Sequence, residues 1–322
     1  MAVHVFVTDS TNYDIIIDRG IVALPEASSD NHIFDALLSR IIAVKDNDFI
    51  MIYITGTNKH ELHGVWQADG YPFYSTEPIW SDRTYPYRVR IKPSKYCFEK
   101  PLKLNDINDL RNNGKIWTWA LQRASGTNSM FSITNYEFSL LITEFLKLNP
   151  FTSQVWRIQN PHPYRECNVL EKIHYKNNKP AWESSIMTLL VDAFNHGQFS
   201  EIFGNYIDFL SYVPTSLGKE MDFLLLFSNS EMPLKYLSYD IIELKHDIFD
   251  IKGLSQLIEY ESWFLQKKVA GDQKMLRVSA IARTFSADVK DYVKNRTAIE
   301  HKPIKLIEYH IGINGKIDLS VV

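Results

Sequence analysis

Short apolar runs rich in β-branched and aromatic residues recur through the first third of the chain: "VHVFVT" from Val3, "DFIMIYIT" from Asp48, "LHGVWQAD" from Leu62 and "YRVRIKP" from Tyr87. Gly56, Gly64, Gly70 and several prolines punctuate them, so they read as strands. In "NHIFDALLSRI" the spacing changes: Ile33, Leu37, Leu38 and Ile41 recur with the period of a helix. A second helix is predicted over Asn135–Leu148, "NYEFSLLITEFLKL". Residues 1–148 therefore predict a small α+β barrel. From Asn149 the stretch "NPFTSQVWRIQNPHPYRECN" has no sustained period, so residues 149–170 read as a linker, with Trp156 and Tyr164 as side chains able to pack on a neighbouring surface. Residues 171–322 alternate helix and strand. A helix is expected over Trp182–His196, with Ile186, Leu189, Leu190 and Ala193 as its apolar stripe. Strands follow at "MDFLLLFS" and "YDIIELKH", then a helix over Gly253–Gln266, a strand "RVSAIART" and a helix "ADVKDYVKN". This half predicts an α/β domain with a central sheet flanked by helices.

Composition narrows the classes. A chain of 322 residues has room for two cores, and 45% hydrophobic with 23% charged residues is a globular balance. The formal net charge of −3 excludes a globally basic nucleic-acid binder and leaves only local patches. Two cysteines, Cys97 and Cys167, lie far apart, which excludes a disulfide framework and fits a reducing compartment. His162, Cys167 and His174 match no zinc-site spacing and lack a fourth ligand. The opening "MAVHVFVTDSTNYD" is a strand followed by acids rather than a signal peptide, and "DFLLLF" is too short to span a bilayer. The expectation is a cytoplasmic protein with no membrane partner.

One segment, "YDIIELKHDIFDIKGLSQLIEY", places charge where burial is expected. Alternation puts Glu243 and Lys245 on one face of an apolar strand, where charges are costly unless paired or bound to a metal. Asp222 opens the preceding strand, and sequential strands usually pair, so the three side chains can converge. Two carboxylates and the Leu244 carbonyl suit Mg²⁺ or Mn²⁺, and Lys245 is placed to act on a water or a phosphate. Gln256 and Tyr260 share a helix face, and Glu183 sits near a helix N-terminus.

The order Glu183, Asp222, Glu243-Leu244-Lys245, then Gln256-Leu257-Ile258-Glu259-Tyr260 resembles the PD-(D/E)XK nuclease superfamily, in its RecB-like and NucS-like branch. The resemblance spans about residues 170–300, with Met221 where many members carry proline. It implies a mixed sheet and metal-dependent hydrolysis of a DNA phosphodiester. By the same resemblance Asp222 and Glu243 are metal ligands, Lys245 is the catalytic lysine, and Gln256, Tyr260 and Glu183 are further site residues.

The first domain is aromatic and locally basic. Trp66, Tyr71, Phe73, Tyr74, Trp80, Tyr85, Tyr87 and Tyr96 cluster, and Arg83, Arg88, Arg90, Lys92 and Lys95 carry no intervening acid. Strict alternation in "YRVRIKP" puts Arg88, Arg90 and Lys92 on an outer face suited to a phosphate backbone. The pattern "IYITGTNKHELHGVWQAD…YPFYSTEPIW…YPYRVRIKP", with a later "ALQRASGTNSMFSITNYEF", resembles PUA-like domains of the EVE and YTH kind, some of which hold a modified base in an aromatic cage. That resemblance makes Trp66, Trp80, Trp117, Trp119 and Tyr74 cage candidates, with Asn128 and Ser129 at the rim. The combined expectation is a modification-dependent DNA endonuclease acting as a homodimer. A mismatch or structure-specific nuclease and a non-catalytic binder of modified nucleic acid are its alternatives.

Overall fold

The computed structural model describes residues 1–26, 31–56, 60–119, 129–150, 157–163, 168–177, 179–229, 231–312 and 315–322. They form two compact units, Met1–His174 and Tyr175–Val322. None of the described helices is long and apolar enough to cross a membrane.

The first unit runs β1 (Val3–Thr8), α1 (Ser10–Arg19), β2 (Ile21–Leu24), α2 (Asn31–Ile41), β3 (Phe49–Ile54), β4 (Glu61–Ala68), β5 (Phe73–Tyr74), β6 (Tyr87–Pro93), β7 (Leu102–Lys103), α3 (Leu104–Asn112), β8 (Met130–Ile133) and α4 (Asn135–Leu148). The sheet order is β2-β6-β4-β3-β1-β8, with β5 on β6 and β7 on β4. Among the described strands of this unit only β1 and β3 pair in parallel, Val3 opposite Phe49 through Thr8 opposite Ile54. The core gathers Val3, Val5, Met51, Tyr53 and Leu62 from strands with Phe138, Leu141 and Phe145 from α4.

Helix α1 was not expected from apolar spacing, because its signal lies in its caps. Asp9 accepts from the Asn12 N–H at 2.8 Å, and Gly20 ends the helix at φ 63° with its N–H on the Ile16 carbonyl. A Cβ at Gly20 would meet the Ile158 side chain at 2.5 Å, so small size matters there as well as the left-handed backbone. That contact revises the reading of residues 149–170 as a linker. Asn149 donates to the Lys100 carbonyl, Asn160 bonds Asp18, and the buried His162 stacks on Phe73 with its N–H on Arg19. The described part of this segment is packed structure belonging to the first unit. Trp156, Tyr164 and Cys167 lie outside the described residues.

Glu137 ties α4 to the chain ahead of β8. Fully buried, it accepts from the Trp117 and Thr118 N–H groups at 2.7 and 2.9 Å and from Thr134 N–H and hydroxyl, both at 2.9 Å.

The second unit runs β9 (Tyr175–Lys176), β10 (Lys179–Pro180), α5 (Glu183–Asn195), α6 (Ser200–Phe203), β11 (Asp208–Pro214), β12 (Glu220–Asn229), β13 (Met232–Phe249), α7 (Ile251–Lys267), β14 (Leu276–Phe285), α8 (Ala287–Glu300), β15 (Lys305–Ile311) and β16 (Ile317–Val321). Its sheet has the order β11-β12-β13-β14-β15-β16. β12 and β13 form an antiparallel hairpin, whereas β13, β14 and β15 run parallel through crossovers carrying α7 and α8. Phe194 of α5 packs at 5.2 Å on Phe223, whose partner Ile242 faces away from Tyr239 and Glu243. Phe264 of α7 packs at 5.0 Å on Tyr239, so the two helices cover opposite faces. The result is a mixed sheet with helices on both sides.

Replacing Glu137 by Ala should strand two buried N–H groups and lower stability by about 3 kcal/mol, read as a urea midpoint shift. An unchanged midpoint would mean that Glu137 is not the tie.

Candidate acidic site and base pocket

The hairpin brings the predicted acids together. Phe223 pairs with Ile242, so Asp222 falls beside Glu243, and Asp222 Oδ2 accepts the Leu244 N–H at 2.7 Å. Lys245 Nζ donates to Glu243 Oε1 at 2.7 Å and to the Leu244 carbonyl at 2.9 Å, and lies 3.8 Å from Glu183 Oε2. On β14 the residues opposite Glu243 and Lys245 are Ala280 and Ala282, whose small side chains leave room beside the charges. The Glu243 side chain is 1% exposed, Lys245 26% and Glu183 43%, so the cluster opens from a buried floor to a solvent-facing rim.

The charges do not balance. Three carboxylates face one ammonium, an excess of two negative charges when all are ionised. Burial pushes Glu243 up to about 7 against the pull of Lys245. Burial, then the Glu243 and Glu183 charges, hold Asp222 well above the usual carboxylate range, and burial also raises Glu183. For Lys245, burial works downward but the Glu243, Asp222 and Glu183 charges outweigh it, keeping the amine protonated. Glu243 Oε2 is buried and has no protein hydrogen-bond donor. This donor set fits a hard divalent cation: it would neutralise the excess and occupy the orphaned oxygen. Among the described residues no three His, Cys, Asp or Glu side chains form a metal-holding group. The set is two carboxylates and a backbone carbonyl, which suits an ion that keeps several waters.

Gln256 and Tyr260 do not face the rim. Tyr260 is fully buried, accepts from Gln256 Nε2 at 2.9 Å and donates to the Glu220 carbonyl at 2.7 Å. They latch α7 to the start of β12, two residues before Asp222.

In the first unit, a cavity of about 190 Å³ is walled by Trp80 and Tyr85 and lined by Thr8, Asp9, Asn12, Thr55, Arg83 and Ser129. The Trp80 and Tyr85 rings are 4.9 Å apart, and Asn12 Nδ2 donates to Asp9 and to the Tyr85 hydroxyl, both at 3.0 Å. Of the predicted base-pocket residues, Trp80 and Ser129 line this cavity, and so does Arg83. Trp66 and Trp119, 2% and 3% exposed, are core. Trp117 is anchored through Glu137, and Tyr74 packs against Tyr87 under the Lys172 ammonium. Asn128 lies outside the described residues. Asp9, Asn12, Thr8 and Thr55 were missed; the Asp-x-x-Asn cap at the end of the first strand was the available signal.

The outward basic face predicted for β6 is corrected. Arg88 is fully buried, because the chain from Ser75 to Tyr85 folds over that side of the strand. Its guanidinium donates to the Tyr85 carbonyl at 2.8 Å, to Ser75 Oγ at 3.1 Å and to the Glu77 carbonyl, and lies 5.3 Å from the Trp80 ring. Burial lowers it to about 10, opposed by Glu77. Arg90 pairs with Asp69 at 2.8 Å, Lys92 lies within 4 Å of Asp46 and Asp69, and Lys95 covers Tyr96. The stripe is thus one internal brace and two neutralised cations, while Arg83, paired with Asp82 at 3.3 Å, and Lys95 stay at the surface.

No family model and no curated protein matches the chain. Among solved structures, a hypothetical protein from Leishmania major is 12% identical, covering 46% of this chain and 96% of that one at a TM-score of 0.34. Human THYN1, in complex with DNA containing 5-methylcytosine, is 8% identical, covering 45% and 98% at 0.33. A MmI1 YTH domain is 19% identical, covering 46% and 97% at 0.31. Likenesses of this size, over less than half the chain, fix neither fold nor ligand.

Between pH 4.5 and about 7 the folded chain holds a proton on Glu243 that the unfolded chain has lost. Stability from this group therefore falls as pH rises through that window. In metal-free protein, the urea-derived stability of wild type minus that of Glu243→Gln should drop by on the order of 2–3 kcal/mol across it. A flat or rising difference would refute the buried charge excess.

Proposed function

We propose that the chain is a metal-dependent DNA endonuclease in which a PUA-like first unit reads a modified or flipped base and the second unit hydrolyses the phosphodiester. The observation that carries this reading is the convergence of three carboxylates, Asp222, Glu243 and Glu183, around the single ammonium of Lys245. Asp222, Glu243 and the Leu244 carbonyl would hold Mg²⁺ or Mn²⁺. A bound ion there would supply Lewis acidity toward the phosphodiester and make a water easier to deprotonate. Lys245, kept protonated by its three acidic neighbours, acts as a donor to a phosphate oxygen rather than as a base. Glu183, at the open rim and raised in pKa, is the group suited to orient an attacking water and accept its proton. Tyr260 and Gln256 keep β12, and with it Asp222, in register with Glu243.

In the first unit, the cavity suits one base taken out of a duplex: Trp80 and Tyr85 offer ring faces, while Asp9, Asn12, Thr8, Thr55 and Ser129 offer polar edges. Arg83 at the same cavity suits the flanking phosphate. One acidic site per chain cuts one strand, so a double-strand break calls for a homodimer.

The test is cleavage of two DNAs of one sequence, one unmodified and one carrying 5-methyl- or 5-hydroxymethylcytosine, with Mg²⁺ or Mn²⁺. Cutting should be confined to modified DNA, fall about 100-fold or more in Asp222→Ala, and lose its selectivity in Trp80→Ala. Equal cutting of both DNAs would replace this reading with a mismatch or structure-specific nuclease. Tight binding of modified DNA without any cutting would leave a non-catalytic reader.

A further inference from the structure

Asp240, three residues before Glu243 on β13, faces the opposite side of the strand. It is fully buried, yet only Oδ1 is satisfied, by the Ser279 hydroxyl at 2.9 Å; Oδ2 has no hydrogen-bond donor. Native structures rarely leave a buried carboxylate oxygen without a partner, so this one needs an explanation. Asp240 lines a cavity of about 350 Å³ where β14 and β15 begin, with Ser279, Arg277, Lys302, Lys305 and Glu261. That volume falls in the roughly 300–1,000 Å³ range of small-ligand sites.

The lining is cationic. Glu261 is tied to the buried Arg296 at 2.6 and 2.7 Å and adds no net charge. Asp240 then faces Arg277 and Lys305, with Lys302 beyond them 4.0 Å from Glu300. Burial raises Asp240 to about 6, opposed by the Ser279 hydrogen bond and the Arg277 and Lys305 charges, so it is ionised at neutral pH. Arg277 gives one N–H to the Phe203 carbonyl at 3.1 Å and Lys305 one to the Ile202 carbonyl at 2.5 Å; both side chains carry further donors. The cavity therefore makes two demands on one ligand: an anionic group for the lysines and arginine, and a hydrogen-bond donor for Asp240 Oδ2. A carboxylate meets the adjacent imino and amino hydrogens of a guanine edge well, and a 5′-phosphate supplies the anion.

We propose that this cavity, separate from the acidic site, binds a nucleoside monophosphate whose base donates to Asp240 and whose phosphate lies among Arg277, Lys302 and Lys305. Isothermal titration of the full chain would use GMP, with ribose 5-phosphate and guanosine as probes of each half. GMP should bind at least about tenfold more tightly than either fragment, as two linked contacts do. Asp240→Asn, which keeps an acceptor for Ser279 but removes the charge and turns a donor inward, should weaken GMP by about 10–100-fold without weakening ribose 5-phosphate. Lys302→Ala should weaken both phosphates and spare guanosine. Far-ultraviolet circular dichroism would show that each variant is folded. No GMP binding by the wild type at millimolar concentration, or equal GMP affinity in folded Asp240→Asn, would overturn the proposal. Because the readout is binding without metal or DNA, its failure is independent of any result on cleavage.

Discussion

A carboxylate on a buried strand and an ammonium two residues further along it set the terms for the second unit. The 2.7 Å contact between Glu243 and Lys245 recovers part of the cost of burying charge, but Asp222 and Glu183 add two acids that one lysine cannot balance. Much of the surrounding structure holds that unfavourable cluster in place. The β12–β13 hairpin fixes Asp222 on the Leu244 N–H, Ala280 and Ala282 keep the neighbouring strand clear, and the Tyr260 hydroxyl pins the start of β12. A cluster with more acids than bases, held on a central sheet, is the physical basis of the nuclease proposal.

The first unit answers a similar problem differently. Arg88 is buried with only the Glu77 charge acting on it; three oxygens, two of them backbone carbonyls, take its hydrogens, and Trp80 covers its face. The arginine organises the segment from Ser75 to Tyr85, which supplies the aromatic wall of the cavity. A residue that alternation would place on DNA instead shapes the pocket from behind.

Alternation along β13 separates two charged clusters. Glu243 and Lys245 face one side, with Asp222 beside them, while Asp240 faces the other among Ser279, Arg277 and Lys305. The strand is interior to the sheet, with β12 antiparallel on one side and β14 parallel on the other, so both sets of side chains rest on backbone hydrogen-bonded along both edges.

Local sequence determined the elements. The bounds of α2 and α4 follow from apolar spacing, and the long strands from runs of Val, Ile and aromatic residues, because backbone propensity and side-chain periodicity act over a few residues. The acids and lysine on β12 and β13 were legible for the same reason: a charge inside an apolar run stands out. Tertiary structure decided what the side chains meet. Arg88 turned inward because a segment eleven residues upstream folds over it, and Trp66 and Trp119 became core while Trp80 lines a cavity. Asp240 gained a pocket from residues on β14 and around the start of β15, and the stretch taken for a linker packed against α1. Burial is a property of what lies across space, and no window along the chain contains it.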